Sequence, residues 1–363
     1  MIVKNEAHVI ARCIASVKPL ITSWCIVDTG STDGTQDIIR KELAELPGDL
    51  HERPWKDFGH NRSEAIELAR GKADYHLTMD ADHILVTPDR FVMPRLTADS
   101  YEIRVEDSGV SYYRTHFFRG DLDFHYVGVL HEVITSRPGR TLARLDGLIY
   151  RRAYDGARSA DPQKFRKDAA VLERALRAEP DNARYAFYLA QSWRDAGEHA
   201  KAATAYERRA AMGGWPEEVW YSLYERARLA DNLGEDDDAV IAHHMRAFES
   251  RPQRAETLCD LARSLRMRNR LATAYPFARA ASDIPRPNDI LFVEEAVYTW
   301  RALDELGVAA YYAGLFREGL AANRRLLSER PLPVSERARI QQNLELCRKE
   351  LGLPRAVARR GTS

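Results

Sequence analysis

Residues 24 to 35 read WCIVDTGSTDGT. An apolar run, Trp24 to Val27, ends at an acid, Asp28, and passes into a turn that contains Gly30 and Asp33. Ile38, Ile39, Leu43 and Leu46 then share one face of a helix. Strand, glycine-containing turn and helix make the opening of an α/β unit. In an open α/β sheet, ligands sit at the carboxyl ends of the strands, where Asp28 and Asp33 lie. A carboxylate there can accept from a base N–H or a ribose hydroxyl. The same residues also suit a plain capped strand-to-helix turn.

The alternation continues outward from this stretch. Ile2 to Lys4 is a short strand, and Val9, Ile10, Cys13, Ile14 and Val17 recur at helical spacing. A helix is expected over about 61–70, with Asn61 or Ser63 as its N-cap and Gly71 as its stop. The strand YHLTM follows and runs into Asp80, Asp82 and His83. This β-α-β-α-β order predicts right-handed crossovers and a mostly parallel sheet. After residue 100, YEIRVED, YYRTHFFR, HYVGVLHEVIT and ARLDGLIYRR read as strands. They are expected to add an antiparallel portion to the same sheet.

From Asp161 the pattern is helical almost throughout. LAQSWRDAG (189–197), RARLADNLG (226–234), LARSLRMRN (261–269) and LGVAAYYAG (306–314) share a spacing. Each places a small residue, Ala190, Ala227, Ala262 or Gly307, seven positions before a turn residue, at successive offsets of 37, 35 and 45 residues. A period near 34 is the mark of tetratricopeptide-type helix hairpins, whose small residues let paired helices approach closely. The last unit is the loosest and carries an insertion. The boundary between the halves is placed near residue 158.

Composition narrows the function classes. The 363 residues suggest two domains. Lys plus Arg and Asp plus Glu both number 54, so the net charge is zero. That argues against a whole-protein electrostatic grip on nucleic acid or acidic membranes. The four cysteines, Cys13, Cys25, Cys259 and Cys347, lack CxxC spacing, which speaks against a disulfide framework or zinc ribbon. No apolar run approaches the roughly 20 residues that span a bilayer, and MIVKNE does not read as a signal peptide. A cytoplasmic location is expected.

Two aspartates one residue apart, at the end of a strand, point their carboxylates toward one rim. Hard divalent cations take carboxylate oxygens and leave positions for phosphate oxygens. A bare DxD is a weak signal. It is stronger at the end of a third strand, after a DxGSxDxT turn.

The order IVKNE, VDTGSTDGT, GHNRSEA and MDADH resembles the nucleotide-sugar glycosyltransferases of family 2, which have the GT-A fold, over about residues 1 to 155. The helical remainder resembles the tetratricopeptide-type domains that some members carry at the C-terminus, including peptide glycosyltransferases of the glycocin type. The resemblance implies an α/β GT-A domain with a Rossmann-like mixed sheet over 1–158 and all-α tetratricopeptide-like repeats over 159–363. It implies that Asn5 and Glu6 border the nucleotide, that Asp28 faces the base, and that Arg62 lies near the base or phosphates. Asp80 then lies near the ribose. Asp82 is the principal ligand of a Mn²⁺ or Mg²⁺ ion that bridges the diphosphate. His83 departs from the commonest pattern, which has an acid after DxD, and either approaches the metal or sugar or is exposed.

The family generally inverts the anomeric centre by in-line displacement, which needs a general base near the acceptor. VGVLHEVI (127–134) holds the candidates, His131 and Glu132. In one assignment His131 is a further metal ligand and Glu132 is unrelated to chemistry. In the other, Glu132 is the base and His131 orients the substrate; the second is preferred. Trp55 and Phe58 are weaker candidates for framing the base, and Arg119 and His125 for reaching a sugar or phosphate. Arg151, Arg152 and Tyr154 lie where a lid would fold over the nucleotide.

The expected activity is transfer from a UDP-sugar, with a peptide or protein as first acceptor; a glycan, a lipid-linked sugar or a modified nucleobase stays open. The helices would present the acceptor or hold a homodimer together. A nucleotidyltransferase would want a Gly-rich basic phosphate loop, which MIVKNEAH lacks. A non-catalytic helical-repeat scaffold is the other alternative, against which the intact Asp28, Asp80, Asp82 and Glu132 argue.

Overall fold

A computed structural model describes residues 1–107 and 110–354. The chain divides into two compact units, Met1–Ala178 and Glu179–Ser363. The first opens with β1 (Ile2–Val3), α1 (Ile10–Val17), β2 (Trp24–Asp28), α2 (Thr35–Glu42), β3 (Gly48–Glu52) and α3 (Phe58–Ala69). The three strands form a parallel sheet in the order β1-β2-β3. β3 lacks the apolar alternation of a strand and is not legible in GDLHE, yet it pairs with β2 from Trp24↔Gly48 to Asp28↔Glu52. α1 buries the expected Ile10, Cys13, Ile14 and Val17.

The antiparallel strands do not extend that sheet, contrary to expectation. β4 (Tyr75–Leu77), β5 (Ile84–Val86), β6 (Ser100–Asp107), β7 (Val110–Arg119) and β10 (Leu142–Arg151) form a second sheet, in the order β4-β7-β6-β10-β5. β4 pairs antiparallel with β7. A cavity of about 670 Å³ lies between the sheets, lined by Cys25 and Ile26 of β2 and by Tyr75 and Leu77 of β4. Asp28, Asp80, Asp82 and Glu132 do not line it. α1 joins the two layers: Ile10 and Ile14 pack with Ile26, Ile39 and Leu43, while Cys13 and Val17 pack with Leu85, Ile103, Leu145 and Tyr150. Burying each such aliphatic side chain is worth roughly 1.5–3 kcal/mol.

The cap of α3 is Asp57, whose side chain accepts from the His60 N–H at 2.7 Å, rather than Asn61 or Ser63. Both of those side chains are engaged elsewhere. Asn61 accepts from the Lys56 N–H at 2.9 Å and donates to the Pro54 carbonyl at 3.1 Å. Ser63 Oγ accepts from the Tyr126 N–H at 2.9 Å and donates to its carbonyl at 3.1 Å.

HYVGVLHEVIT is likewise not one strand. It forms a ribbon of β8 (His125–Val127) and β9 (Val133–Thr135), joined by a turn that includes Gly128 at φ 109° and His131 at φ 51°. Four apolar residues in a row hid that turn. It docks on the start of α3. A Cβ on Gly59 would come within 2.2 Å of the Gly128 carbonyl oxygen, so only glycine permits the approach.

Past β10 the chain is helical: α4 (Lys164–Ala178), α5 (Ala183–Asp195), α6 (His199–Ala211), α7 (Pro216–Asn232), α8 (Asp237–Ser250), α9 (Glu256–Met267), α10 (Leu271–Asp283), α11 (Ala302–Tyr312), α12 (Phe316–Glu329) and α13 (Val334–Glu350). The four similar segments of the sequence fall on α5, α7, α9 and α11. Each of these helices ends at a left-handed residue: Gly197 (φ 75°), Gly234 (69°), Asn269 (61°) and Gly314 (76°). The next residue's N–H then bonds back across the turn, to the carbonyls of Trp193, Ala230, Leu265 and Ala310 respectively. This is the Schellman closure that left-handed residues permit. Ala190, Ala227 and Ala262 are buried, and a Cβ on Gly307 would sit 3.1 Å from Asn323 Nδ2. The 45-residue offset arises from the segment between α10 and α11. There Asp289 is bound by Arg251 at 2.5 Å and by Arg254 at 3.3 Å. Among the described residues, no helix is long and apolar enough to cross a membrane.

Candidate active site

The loops after β1 and β2 are stitched into one rim at the carboxyl end of the parallel sheet. Asn5 takes a left-handed backbone (φ 56°), accepts from the Thr32 N–H at 2.8 Å, and donates its own N–H to Ser31 Oγ at 2.9 Å. Asp33 accepts from the Thr35 N–H at 3.1 Å and the Ala7 N–H at 3.0 Å. Asp28 is 1% exposed. It accepts from the Ser31 N–H at 3.0 Å, the Ser31 hydroxyl, and Gln36 Nε2 at 2.7 Å. In this structure Asp28 therefore shapes the loop at the floor of the rim.

Arg62 ties the two ends of the sequence motif together. It pairs with Asp80 and places Nε 2.8 Å from Glu132 Oε1. That second contact is an ion pair by distance, without hydrogen-bond geometry. The guanidinium also faces the Tyr126 ring, 5.5 Å from its centroid. Burial opposes the Arg62 charge, but Asp80 and Glu132 outweigh it and raise its pKa. Burial likewise opposes the charge of Asp80, yet Arg62, and then His83, hold Asp80 well below the usual carboxylate range. The ribbon pinned to α3 by Ser63 puts Glu132 within reach, so the long-range pair is a consequence of the Gly59–Gly128 contact.

Asp82 is different. Among the described residues it pairs with no arginine or lysine, and burial raises its pKa, with the Asp80 charge adding to the effect. Arg12 is adjacent, but its guanidinium binds Asp155 at 2.7 and 2.8 Å and the backbone carbonyl of Asp82 at 2.9 Å. Glu6 accepts from the Ala157 N–H at 3.2 Å; burial raises its pKa, and Asp82 contributes.

His83 is buried. Its Nε2 lies 3.4 Å from Asp82 Oδ1, its Nδ1 lies 3.5 Å from Asp80 Oδ2, and Nδ1 is 2.8 Å from the Tyr150 hydroxyl. The exposed-residue reading of His83 is therefore set aside. The Tyr150 oxygen also accepts from the Asp80 N–H at 3.0 Å, and its ring stacks on His116 at 3.9 Å.

The segment after β10 covers this cluster. His8 Nε2 is 2.6 Å from the Asp155 carbonyl oxygen. A Cβ on Gly156 would meet Asp82 Oδ2 at 2.8 Å. Arg158 lies over the Phe58 ring at 4.3 Å, and Phe58 packs edge-on against Trp55 at 4.7 Å. Arg151 and Arg152 turn to Glu106 and Asp107 instead, and Tyr154 donates to Asp107.

Of the sequence candidates, Asn5, Glu6, Asp28, Arg62, Asp80, Asp82, His83 and Glu132 gather around the rim. His131 sits next to Glu132 in the exposed turn. Arg119 and His125 do not join them. Arg119 pairs with Tyr75 at the start of β4, away from the Asp80 end, and binds Asp121 at 2.6 Å. His125 is at the end of the ribbon opposite Glu132. Sequence reasoning missed Arg12, which lies on α1, and Tyr150, Asp155 and Gly156, whose only signal was the run YRRAYDGARS near the boundary.

The residues present fit a divalent cation. Asp82 is a hard oxygen donor held in a partly buried setting without a cationic partner. Among the described residues no group of three or more His, Cys, Asp or Glu side chains could hold a metal ion, so an ion at Asp82 would need phosphate oxygens and water to complete its shell.

Residues 1–91 match the family model of glycosyl transferase family 2. The chain is similar to the SPbeta prophage-derived glycosyltransferase SunS of Bacillus subtilis, 27% identical over 207 residues, covering 52% of this chain and 47% of SunS. The chain thus spans about half the length of that relative. It is also similar to a TPR repeat-containing protein of Synechococcus elongatus, 28% identical over 302 residues, covering 77% of this chain and 73% of the relative. Among solved structures, the crystal structure of MamA protein matches at a TM-score of 0.36 and 16% identity, over 47% of this chain and 88% of that one. The family match thus lies over the loops that form the rim, and the repeated helix pairs that follow in sequence are what the chain shares with a TPR-named relative.

Proposed function

We propose that the first unit transfers a sugar, with inversion, from a nucleoside-diphosphate sugar, a UDP-sugar as first choice, to a peptide or protein acceptor. One observation carries the reading: Arg62 brings Asp80 and Glu132 together beside Asp82. A Mn²⁺ or Mg²⁺ ion at Asp82 would neutralise charge developing on the diphosphate leaving group. The protein's own groups do the rest. Asp80 and the rim of Asn5, Glu6 and Asp28 border the nucleoside. Arg62 has two carboxylate partners, and a donor phosphate would compete for it. Glu132, released from that pair, takes the acceptor proton as general base, and His131 beside it orients the acceptor.

The covering segment 155–158 excludes water from the sugar. The four cysteines are free, as a reducing compartment such as the cytoplasm would leave them. The stacked helix pairs suit an extended peptide acceptor or a homodimer contact.

The test is Glu132→Gln. Transfer should fall by about 10²–10⁴-fold, while donor affinity measured by calorimetry stays near that of the parent protein. Loss of donor binding together with activity would reassign Glu132 to nucleotide binding.

A further inference from the structure

The metal reading leaves Asp82 short of protein partners and leaves His83 without a role. We propose that His83 is the second protein ligand of the divalent cation, chelating it with Asp82, and that the Tyr150 hydroxyl orients the imidazole for that task. This rests on the reading of Asp82 as a metal ligand.

Three observations carry the inference. First, Nε2 of His83 and Oδ1 of Asp82 face each other at 3.4 Å. That is longer than a good N–H···O hydrogen bond, about 2.7–3.2 Å. It is close to the roughly 3 Å that separates neighbouring donors around an octahedral ion with bonds of about 2.1 Å. Second, His83 is 6% exposed, so its ring is fixed and cannot serve in solvent. Third, its other nitrogen is held. Nδ1 lies 2.8 Å from the Tyr150 oxygen, which is itself anchored by the Asp80 N–H at 3.0 Å and by stacking of the phenol ring on His116. A ring whose Nδ1–H donates to that oxygen presents the Nε2 lone pair toward Asp82. Metal-bound histidines are typically arranged in this way.

The neighbours of Asp82 are engaged elsewhere: Glu6 accepts from the Ala157 N–H at 3.2 Å. Asp80 is taken by Arg62. Asp155 is taken by Arg12. Gly156 brings only backbone against Asp82. With Asp82 and His83 as the protein donors, the remaining positions fall to diphosphate oxygens and water. The bound ion would then report on both the nucleotide and the histidine.

The experiment is pulsed electron paramagnetic resonance of the full-length protein with Mn²⁺ and UDP. The free-Mn²⁺ signal measures binding, and ¹⁴N modulation reports a directly bound imidazole. The expected result is bound Mn²⁺ with ¹⁴N modulation, lost in His83→Asn and kept in His131→Ala, with Mn²⁺ affinity in His83→Asn reduced by about 10–100-fold. Tyr150→Phe keeps the stacked ring and should retain the modulation but weaken Mn²⁺ by about tenfold. Bound Mn²⁺ without ¹⁴N modulation in the parent protein would overturn the inference alone, as would modulation that survives in a folded His83→Asn and vanishes in His131→Ala. No Mn²⁺ binding with UDP would overturn the metal reading and this inference together.

Discussion

At the scale of single residues, Arg62 is the key contact. Its side chain is 15% exposed and is flanked by Asp80 at 30% and Glu132 at 10%. Removing it leaves two carboxylates facing each other without a cation. Arg62→Met should therefore cost about 3 kcal/mol of stability, read from urea unfolding. A change below ~0.5 kcal/mol would show that the pairing is a surface contact only.

His116 supplies the pH signature. Burial lowers its pKa to about 3, from an ordinary 6.5, so the folded protein keeps it neutral. Between those values the unfolded chain binds a proton that the native state refuses, so stability rises with pH through that window. On acidification from pH 7 to 5, this residue's contribution should fall by about 2 kcal/mol. His116→Phe, which keeps an aromatic ring against Tyr150, should flatten the pH dependence of the urea midpoint by that amount. An unchanged slope would place His116 in solvent contact. His83 was undecided in the sequence because its partner, Tyr150, is 67 residues away, and nothing in DADH announces a tyrosine.

At the scale of elements, periodicity was legible where apolar residues pattern a face, and failed where polar chemistry set the boundary. α1 shows its buried stripe plainly. α3 does not, because its cap lies four residues upstream of Asn61 and the apparent cap residues bind backbone elsewhere. GDLHE hides a strand because its pairing is through backbone alone. The ribbon turn was lost inside VGVL, and with it the reason Glu132 reaches Arg62. Gly59→Ala tests that link. Its Cβ would come within 2.2 Å of the Gly128 carbonyl oxygen, so the ribbon must shift and carry Glu132 away. Transfer should fall at least tenfold while far-ultraviolet circular dichroism stays the same. Full activity in Gly59→Ala would mean that the ribbon's position does not matter to the reaction.

At the scale of the whole molecule, the two compact units have different kinds of legibility. The helical unit repeats: the four small residues that mark the repeat in the sequence fall on α5, α7, α9 and α11, and the four turn residues follow the ends of those helices. The first unit is assembled from non-local pieces. Its motifs identified the rim, but the sheets proved to be two rather than one, and the segment expected as a lid meets the cluster through Asp155 and Gly156 rather than through Arg151, Arg152 and Tyr154. The rim nonetheless gathers the acids that the motif order singled out, which is why the transferase reading survives an error in the sheet.

The most direct test of that reading is release of UDP from a panel of UDP-sugars by the full-length protein, with and without Mn²⁺, beside Asp82→Asn. Mn²⁺-dependent release from at least one donor, reduced about 100-fold or more in Asp82→Asn, is the predicted result. Undiminished release in the presence of EDTA, or from Asp82→Asn, would contradict it.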